Sequence, residues 1–460
     1  MAPRWTSTAL TAGILLPAIS VLGGVGPGYR RAVQRRQRLQ PADLEAFQMG
    51  RVRELVRAAM RHSPYYGRAF AAAGIDPDTL KDYAALARLP LLEKDALRAL
   101  PPAEFQVARP HFTKTAMTAG STGKPVVVVQ TLRWWARSLA RRAELYRQHG
   151  ILFGSREGRF WGRGARPTGR NPRQLFGNRR IYQFLGSTAA ELAAELADLQ
   201  RYRPDYIYGY ASLILNAARL GAGEGPLVPG LRAVITTAET MTPSDAATVR
   251  AAFGCPVLHE YGCSELDIMA FDCPRGSCHV QTDHVLLETI PDATGGHEAV
   301  VTDLDNDVMP LIRYRLGDSI ELAAEPCACG RTSPVIRSIR GRTIGQILLL
   351  PDGGRTHAVC FAYILEDLCL RGHPYTHFRV FQESPAELRY VIAGTPPPRQ
   401  AELRRAILAE THDRLSPAFR ITVDFGEIPR TPGQKYTYFV PLPTPTVDHP
   451  AIPTSNGGAP

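Results

Sequence analysis

Apolar residues recur along the chain first at helical and then at strand spacing. Residues 41–59, PADLEAFQMGRVRELVRAA, repeat apolar positions at a period near 3.6, with Asp43 placed to cap the start and Ser63-Pro64 to stop the run. This predicts an amphipathic helix. Farther on, β-rich runs at 233–236 and 257–258 alternate with helical segments such as Pro243–Phe253. Such alternation predicts an α/β domain whose sheet is covered by helices. Between 298 and 322 the pattern changes to short strands separated by turn residues, Asp305-Asn306-Asp307 among them, which predicts an antiparallel, β-rich subdomain closing the large domain.

A second change follows Gly341-Arg342. The strand-like QILLL, a Pro-Asp-Gly-Gly turn, β runs at 377–381 and 388–392, a helix near 399–415 and a strand at Arg420–Phe425 read as a small α+β domain. The expected organisation is therefore an apolar leader at 1–28, a large domain at 29–341, a small C-terminal domain at 342–440 and a tail at 441–460. The tail holds six prolines and no apolar period, so it is expected to be disordered.

Composition narrows the class. With 44% hydrophobic and 21% charged residues over 460 positions, collagen, coiled coil and wholesale disorder are excluded, and the length suits a large domain plus a smaller one. The net charge of +11 favours anionic partners, but no basic–aromatic motif supports nucleic acid. Only five of the 54 basic residues are lysine, and two of them, Lys124 and Lys435, fall in the motifs below. Lysine and arginine are not interchangeable at a reacting centre.

Eight cysteines are too sparse for a disulfide scaffold, and several cluster near His279, which fits a reducing, cytoplasmic setting. The apolar run 9–25 falls short of the ~20 residues that a membrane span requires. Arginines follow it at 30, 31, 35, 36 and 38, so the leader at 1–28 reads either as a membrane contact with the body on the cytoplasmic side or as a dispensable or core-packed segment.

The strongest chemical signal is Thr118-Ala119-Gly120-Ser121-Thr122-Gly123-Lys124-Pro125, where glycines and hydroxyls alternate at the entrance to the run VVVVQ. Glycines let backbone N–H groups converge on a phosphate, and small hydroxyls add donors. Pro125 stands where a Walker loop requires Ser or Thr, so this is a different phosphate loop.

That segment resembles the phosphate loop of the adenylate-forming acyl-CoA synthetase superfamily. Tyr261-Gly262-Cys263-Ser264-Glu265 resembles the family's Y-G-x-[ST]-E, and Pro310-Leu311-Ile312-Arg313-Tyr314-Arg315-Leu316-Gly317-Asp318 resembles its P-L-I-R-Y-R-x-G-D. Gly341-Arg342 is similar to the start of the hinge motif, and Arg430-Thr431-Pro432-Gly433-Gln434-Lys435 to the segment holding the adenylation lysine. The wording of the third motif and the Cys-x-Cys beyond it resemble the phenylacetate-CoA ligase branch.

The resemblance implies a large α/β adenylation domain with a mobile small domain, and an ATP-dependent ligase that activates a carboxylate and passes the acyl group to CoA, releasing AMP and pyrophosphate. Ser121, Thr122, Gly123 and Lys124 would hold the phosphates, and Glu265 a magnesium ion. Tyr261 and Gly262 would lie against adenine, with Ser264 beside them. Asp318 would accept the ribose hydroxyls and Arg342 would assist from the hinge. Glu239 would lie near the nucleotide, and Lys435 would bridge the carboxylate and the α-phosphate. The acyl pocket would form around Tyr208, Tyr210, Ala238 and Glu260.

The branch also carries C-x5-H followed by C-x-C, which implies a closed structural zinc site of Cys273, His279, Cys327 and Cys329. One departure stands out. Gly341-Arg342-Thr343-Ile344-Gly345 lacks the acidic hinge pair of the family's G-R-x-D-D, which motivates an alternative: adenylyl transfer to a hydroxylated cofactor, or acyl transfer to an amine, without CoA.

Overall fold

The computed structural model describes residues 17, 21, 25, 28–110, 112–117, 126–161, 178–182, 189–221, 225–239, 241–291, 296–340, 347–375, 377–428 and 438–442. The chain opens with helices α1 (Tyr29–Arg36), α2 (Pro41–His62), α3 (Pro64–Ala72) and α4 (Lys94–Ala99). α2 buries Leu44, Met49, Val52, Leu55, Val56 and Ala59 on one stripe, as its period predicts. Asp43 lies in its first turn but does not cap it: the cap is Gln40, without a side-chain bond, and Pro41 takes the first helical position. The carboxylate there still meets the positive end of the helix dipole. Ser63 ends α2 and caps α3, accepting the Tyr66 N–H at 3.3 Å.

A hairpin of β1 (Thr113–Met117) and β2 (Val127–Thr131) leads into α5 (Leu132–Arg147). The central sheet then takes β3 (Glu157–Phe160), β4 (Arg179–Tyr182), β5 (Tyr206–Tyr210), β6 (Ala233–Thr237) and β7 (Val257–Cys263), with α6 (Ala189–Tyr202), α7 (Ala211–Leu220) and α8 (Pro243–Phe253) between them. These five strands pair in parallel in the order β4-β3-β5-β6-β7. β5 and β6 are buried at every position, the mark of a sheet covered on both faces. Ile207 points into a core built with α6, α7 and α8, while its neighbours Tyr206 and Tyr208 pack against Leu145 and Tyr146 of α5.

At β7 the pairing reverses. β8 (Asp267–Asp272), β9 (Cys278–Val280), β10 (Val285–Pro291), β11 (His297–Asp303), β12 (Tyr314–Leu322) and β13 (Val335–Arg340) continue the same sheet antiparallel, in the order β7-β8-β9-β13-β12-β11-β10. The antiparallel region read from 298–322 is thus an extension of the main sheet, not a separate layer.

The remaining elements are a hairpin of β14 (Ile347–Leu349) and β15 (Arg355–His357), α9 (Val359–Leu370), β16 (His377–Ser384), β17 (Glu387–Ala393), α10 (Pro397–Arg414), β18 (Arg420–Phe425) and β19 (Phe439–Val440). The last four strands form a sheet ordered β18-β17-β16-β19 with its own core, in which Phe361, Ile364 and Leu365 of α9 meet Leu403 and Ile407 of α10. The α+β reading of this part is sound, although α9 escaped the sequence pattern.

Candidate active site

The site grows where β7 changes partners, because a strand end at such a switch faces no covering crossover and leaves a crevice. Three strands, β8, β9 and β13, lie between β7 and β12, which carries Asp318, so the two are four inter-strand steps apart. In a flat sheet spaced at ~4.8 Å that separation would be about 19 Å. Instead the Tyr261 hydroxyl on β7 donates to Asp318 Oδ2 on β12 at 3.1 Å, and Tyr314 on β12 donates to Glu265 Oε1 just past β7 at 3.1 Å. The antiparallel half therefore curls back on itself, and two motifs far apart in sequence meet face to face. All four side chains are buried.

Local backbone explains why these residues can approach. A Cβ on Gly262 would meet the Asp267 carbonyl oxygen at 2.3 Å, so only glycine lets the β7–β8 turn close behind Tyr261. Gly317 takes a φ of +74°, the left-handed conformation that turns the chain immediately before Asp318.

Glu265 is the chemically informative carboxylate. It is 3% exposed, its Oε1 is held by Tyr314, and its Oε2 has no hydrogen-bond partner among the described residues. A buried anionic oxygen without a donor is costly unless a cation supplies the charge, and an oxygen of this kind suits the hard magnesium ion. The donor set therefore fits the metal that the sequence motif implies. Burial first, and then the Glu265 charge, push the Tyr314 phenol well above its usual range, so Tyr314 stays a donor. Gln130, at the end of β2, reaches the Ser264 and Glu265 carbonyls at 3.4 Å each, tying the strand after the Gly/Ser-rich segment to the Glu265 turn. Sequence reading passed over Gln130; its signal is a lone amide closing an all-valine run.

Beside this lies a second buried carboxylate. Glu260 accepts from Tyr208 at 2.8 Å on Oε1, and from Arg142 at 3.2 Å and Tyr146 at 3.4 Å on Oε2. Both oxygens are taken by protein, so Glu260 supports the pocket by fixing Tyr208 and is not held free for a ligand. Burial raises its pKa against the opposing pull of Arg142. Arg142 also holds Asp267 at 2.7 Å, and despite burial that pairing keeps Asp267 below its ordinary range. Trp161, also missed from sequence, stacks on Tyr210 with ring centroids 4.3 Å apart and runs nearly parallel to Tyr208 at 6.1 Å. Arg159 lies 4.7 Å over the Tyr208 ring, completing an aromatic and cationic wall.

Glu239 lies just past the end of β6. Its carboxylate accepts the Ser212 N–H at 2.7 Å and the Ser212 hydroxyl at 3.1 Å, capping the first turn of α7. The preceding Ala238 has a φ of +67°, strained for a residue with a Cβ. β6 thus ends in a forced turn whose carboxylate is anchored on the helix that follows β5. Ser121, Thr122, Gly123, Lys124, Arg342 and Lys435 lie outside the described residues.

A separate cluster joins β8 and β9 to the turn before β13. One ligand atom each from Cys273, His279, Cys327 and Cys329 lies within 4.8 Å of the others. Cys273 Sγ and Cys327 Sγ are 3.8 Å apart, and Cys329 Sγ lies 3.3 Å from His279 Nε2. The other ring nitrogen, Nδ1, faces the Ser333 carbonyl at 3.1 Å and its hydroxyl at 3.0 Å, the outer partner that fixes a metal-binding tautomer. The N–H groups of Arg275 and Cys329 point at Cys273 and Cys327 sulfur, 3.4 Å away in each case, and would stabilise thiolates. Three sulfurs and one imidazole nitrogen in a closed group are a zinc donor set. They are the four residues singled out from sequence.

The fold matches solved adenylate-forming enzymes. The structure of 2-hydroxyisobutyryl-CoA ligase in complex with 2-HIB-AMP and CoA superposes with a TM-score of 0.58 at 19% identity, over 89% of this chain and 92% of that one. Phenylacetate-coenzyme A ligase of Aromatoleum evansii is 30% identical over 332 residues, 67% of this chain and 72% of the relative. The enzyme of the same name from Thermus thermophilus is 29% identical over 330 residues, 66% of this chain and 72% of the relative. No protein-family profile matches the chain. The chain belongs to the phenylacetate-coenzyme A ligase family.

Proposed function

We infer that the protein is an ATP-dependent, AMP-forming acid–thiol ligase: it adenylates a carboxylic acid, releases pyrophosphate and passes the acyl group to CoA. The observation that carries this reading is the meeting of Tyr261 with Asp318 and of Tyr314 with Glu265 across the curl of the sheet, which leaves one buried carboxylate oxygen, Glu265 Oε2, without a hydrogen-bond partner among the described residues. Asp318 would accept the ribose hydroxyls, with Tyr261 locked beside it against the adenine. Glu265 Oε2 would take magnesium, which neutralises charge on the phosphates when bound. Ser121, Thr122, Gly123 and Lys124 would hold the departing pyrophosphate, and Lys435, arriving from the small domain at 342–440, would act on the carboxylate and α-phosphate as a point charge. Arg342 would assist at the junction with the large domain at 29–341. Alignment of two anions in this way supplies ~7–11 kcal/mol of barrier lowering. Tyr208, Tyr210 and Ala238 would line the acyl pocket, braced by Glu260 and Glu239.

Zinc at Cys273, His279, Cys327 and Cys329 would be structural, since four protein ligands leave no open position. The enzyme would work in the cytoplasm, in contact with a membrane through 1–28; among the described residues no helix is long and apolar enough to cross one. Pyrophosphate release screened over aryl and alkyl acids tests the chemistry. Turnover that needs both ATP and CoA is the expected result, and neither pyrophosphate exchange nor AMP formation with any acid would overturn it.

A further inference from the structure

One face of α1 carries charge that nothing among the described residues answers. Residues 1–42 contain six arginines and neither Asp nor Glu. Arg31, Arg35 and Arg38 are exposed; the first two stand four residues apart on the face of α1 opposite the buried Val33, and Arg38 follows in the turn just past the helix, extending the stripe. None of the three has an acidic partner among the described residues. Arg36, by contrast, is spent on the body, lying 4.5 Å over the Phe47 ring.

The stripe sits on a fixed platform. Arg141 donates to the Tyr29 hydroxyl at 3.1 Å, Gln34 to Glu144 at 2.6 Å and Gln37 to Gln281 at 2.9 Å, while the Thr332 N–H reaches the Gln37 carbonyl at 3.3 Å. Just ahead of α1, Val25 is buried against Ala136 and Ala140 of α5, whereas Val21 is 78% exposed. A positively charged face is thus preceded in the chain by an exposed apolar side chain.

We propose that this stripe docks the protein on an anionic phospholipid bilayer, the guanidinium groups pairing with lipid phosphates. Nucleic acid would also answer the charge, but it gives no reason for an exposed valine or for the uncharged run 9–25 that precedes the stripe in sequence. A lipid interface answers both, and that run is too short for a span of ~20 residues, so attachment at the surface is the fit. The proposal rests on the membrane placement in the reading above, but not on its ligase chemistry.

Sedimentation of the full chain with vesicles tests it. The protein is expected to partition onto vesicles of phosphatidylcholine mixed with phosphatidylglycerol, not onto phosphatidylcholine alone, and to be released by salt. At about fivefold per basic residue, the triple variant Arg31→Ala, Arg35→Ala, Arg38→Ala loses on the order of 100-fold in partition, with pyrophosphate exchange on a soluble acid unchanged. Replacement of the same three by lysine keeps most of the binding. Equal binding to both vesicle types, binding to neither, or an unaffected alanine variant overturns the proposal. So does retention on duplex DNA at a salt concentration that releases the mixed vesicles. Vesicle binding by a wild type that shows no exchange sustains the stripe and sinks only the ligase reading.

Discussion

Glu260 and Glu265 lie close together in sequence and are both buried, yet their surroundings are opposite. Glu260 is closed: two tyrosines and an arginine occupy its oxygens. Glu265 is open: one tyrosine holds one oxygen, and the other waits without a donor among the described residues. Burial does not separate the two; incomplete satisfaction does. A buried anion left half-bonded is costly, and a cation reaching Glu265 Oε2 from solution would offset that cost.

The comparison breaks most sharply on activity. Glu265→Gln is expected to lower pyrophosphate exchange by ~10²–10³-fold, the scale seen when one preorganised electrostatic contact to a reacting group is removed, and to raise the magnesium concentration needed for half-maximal rate. Thermal stability should hold or rise slightly, because the variant removes a buried charge that has no counter-charge among the described residues and keeps the acceptor for Tyr314. A variant that unfolds like a core defect while keeping its magnesium dependence would show that Glu265 is structural after all. Magnesium titration at fixed ATP and a melting curve read the two outcomes separately.

Glu260→Leu should reverse the pattern. It leaves the Tyr208 hydroxyl without its acceptor and deprives Arg142 of one of two carboxylates, a loss on the order of 3 kcal/mol in stability with the magnesium dependence unchanged. Denaturant midpoints for the wild type and the variant measure it. The Cys/His cluster supplies a control of the same kind away from Glu265: if it holds zinc, Cys329→Ser should lower zinc per chain and the melting temperature together, and purified wild type with well under one zinc per chain would rule the metal out.

How much of this was legible in the chain follows from what kind of information each feature needs. The helical stripe of α2 and the buried β6 are written in local periodicity, and the four members of the Cys/His cluster in the C-x5-H and C-x-C pattern that the chain shares with its family branch. The curl that joins Tyr261 to Asp318 is not local. It depends on strand order and cumulative twist, so the motif could announce each residue without announcing their hydrogen bond. The contact of Glu239 with Ser212 at the start of α7 was hidden for the same reason: it joins the end of β6 to a helix earlier in the chain. Gln130 and Trp161 were invisible because a single amide or indole has no pattern until a sheet brings it beside its partner.

pH separates the two carboxylates next. Burial raises the Glu260 pKa above that of the unfolded chain, so the folded state binds more protons than the unfolded state between the two values. Stability contributed by this group is then greatest at low pH and falls as pH rises through that window. Glu260→Gln cannot titrate. The stability of the wild type minus that of Glu260→Gln should therefore decline as pH is raised from about 4 toward neutrality. Asp267 opposes it, since Arg142 holds its pKa down and its contribution is lost as pH falls, but it is present in both proteins and cancels in the difference. A difference that grows with pH would mean that Arg142 outweighs burial at Glu260.

The smallest expected effect tests the link between the two motifs. Tyr261→Phe keeps the buried ring and removes only the hydroxyl that donates to Asp318, so stability should fall by about 1 kcal/mol, the net worth of one such bond. Its kinetic signature is more discriminating. If Asp318 accepts ribose hydroxyls, the lost bond frees one of its oxygens to move and weakens ATP binding in ground and transition states alike. KM for ATP should then rise several-fold while kcat stays near wild type. An equal fall in kcat at unchanged KM would instead place Tyr261 against the developing charge of the reaction, on the same footing as Glu265, and would erase the division between a residue that positions the nucleotide and one that acts on its phosphates.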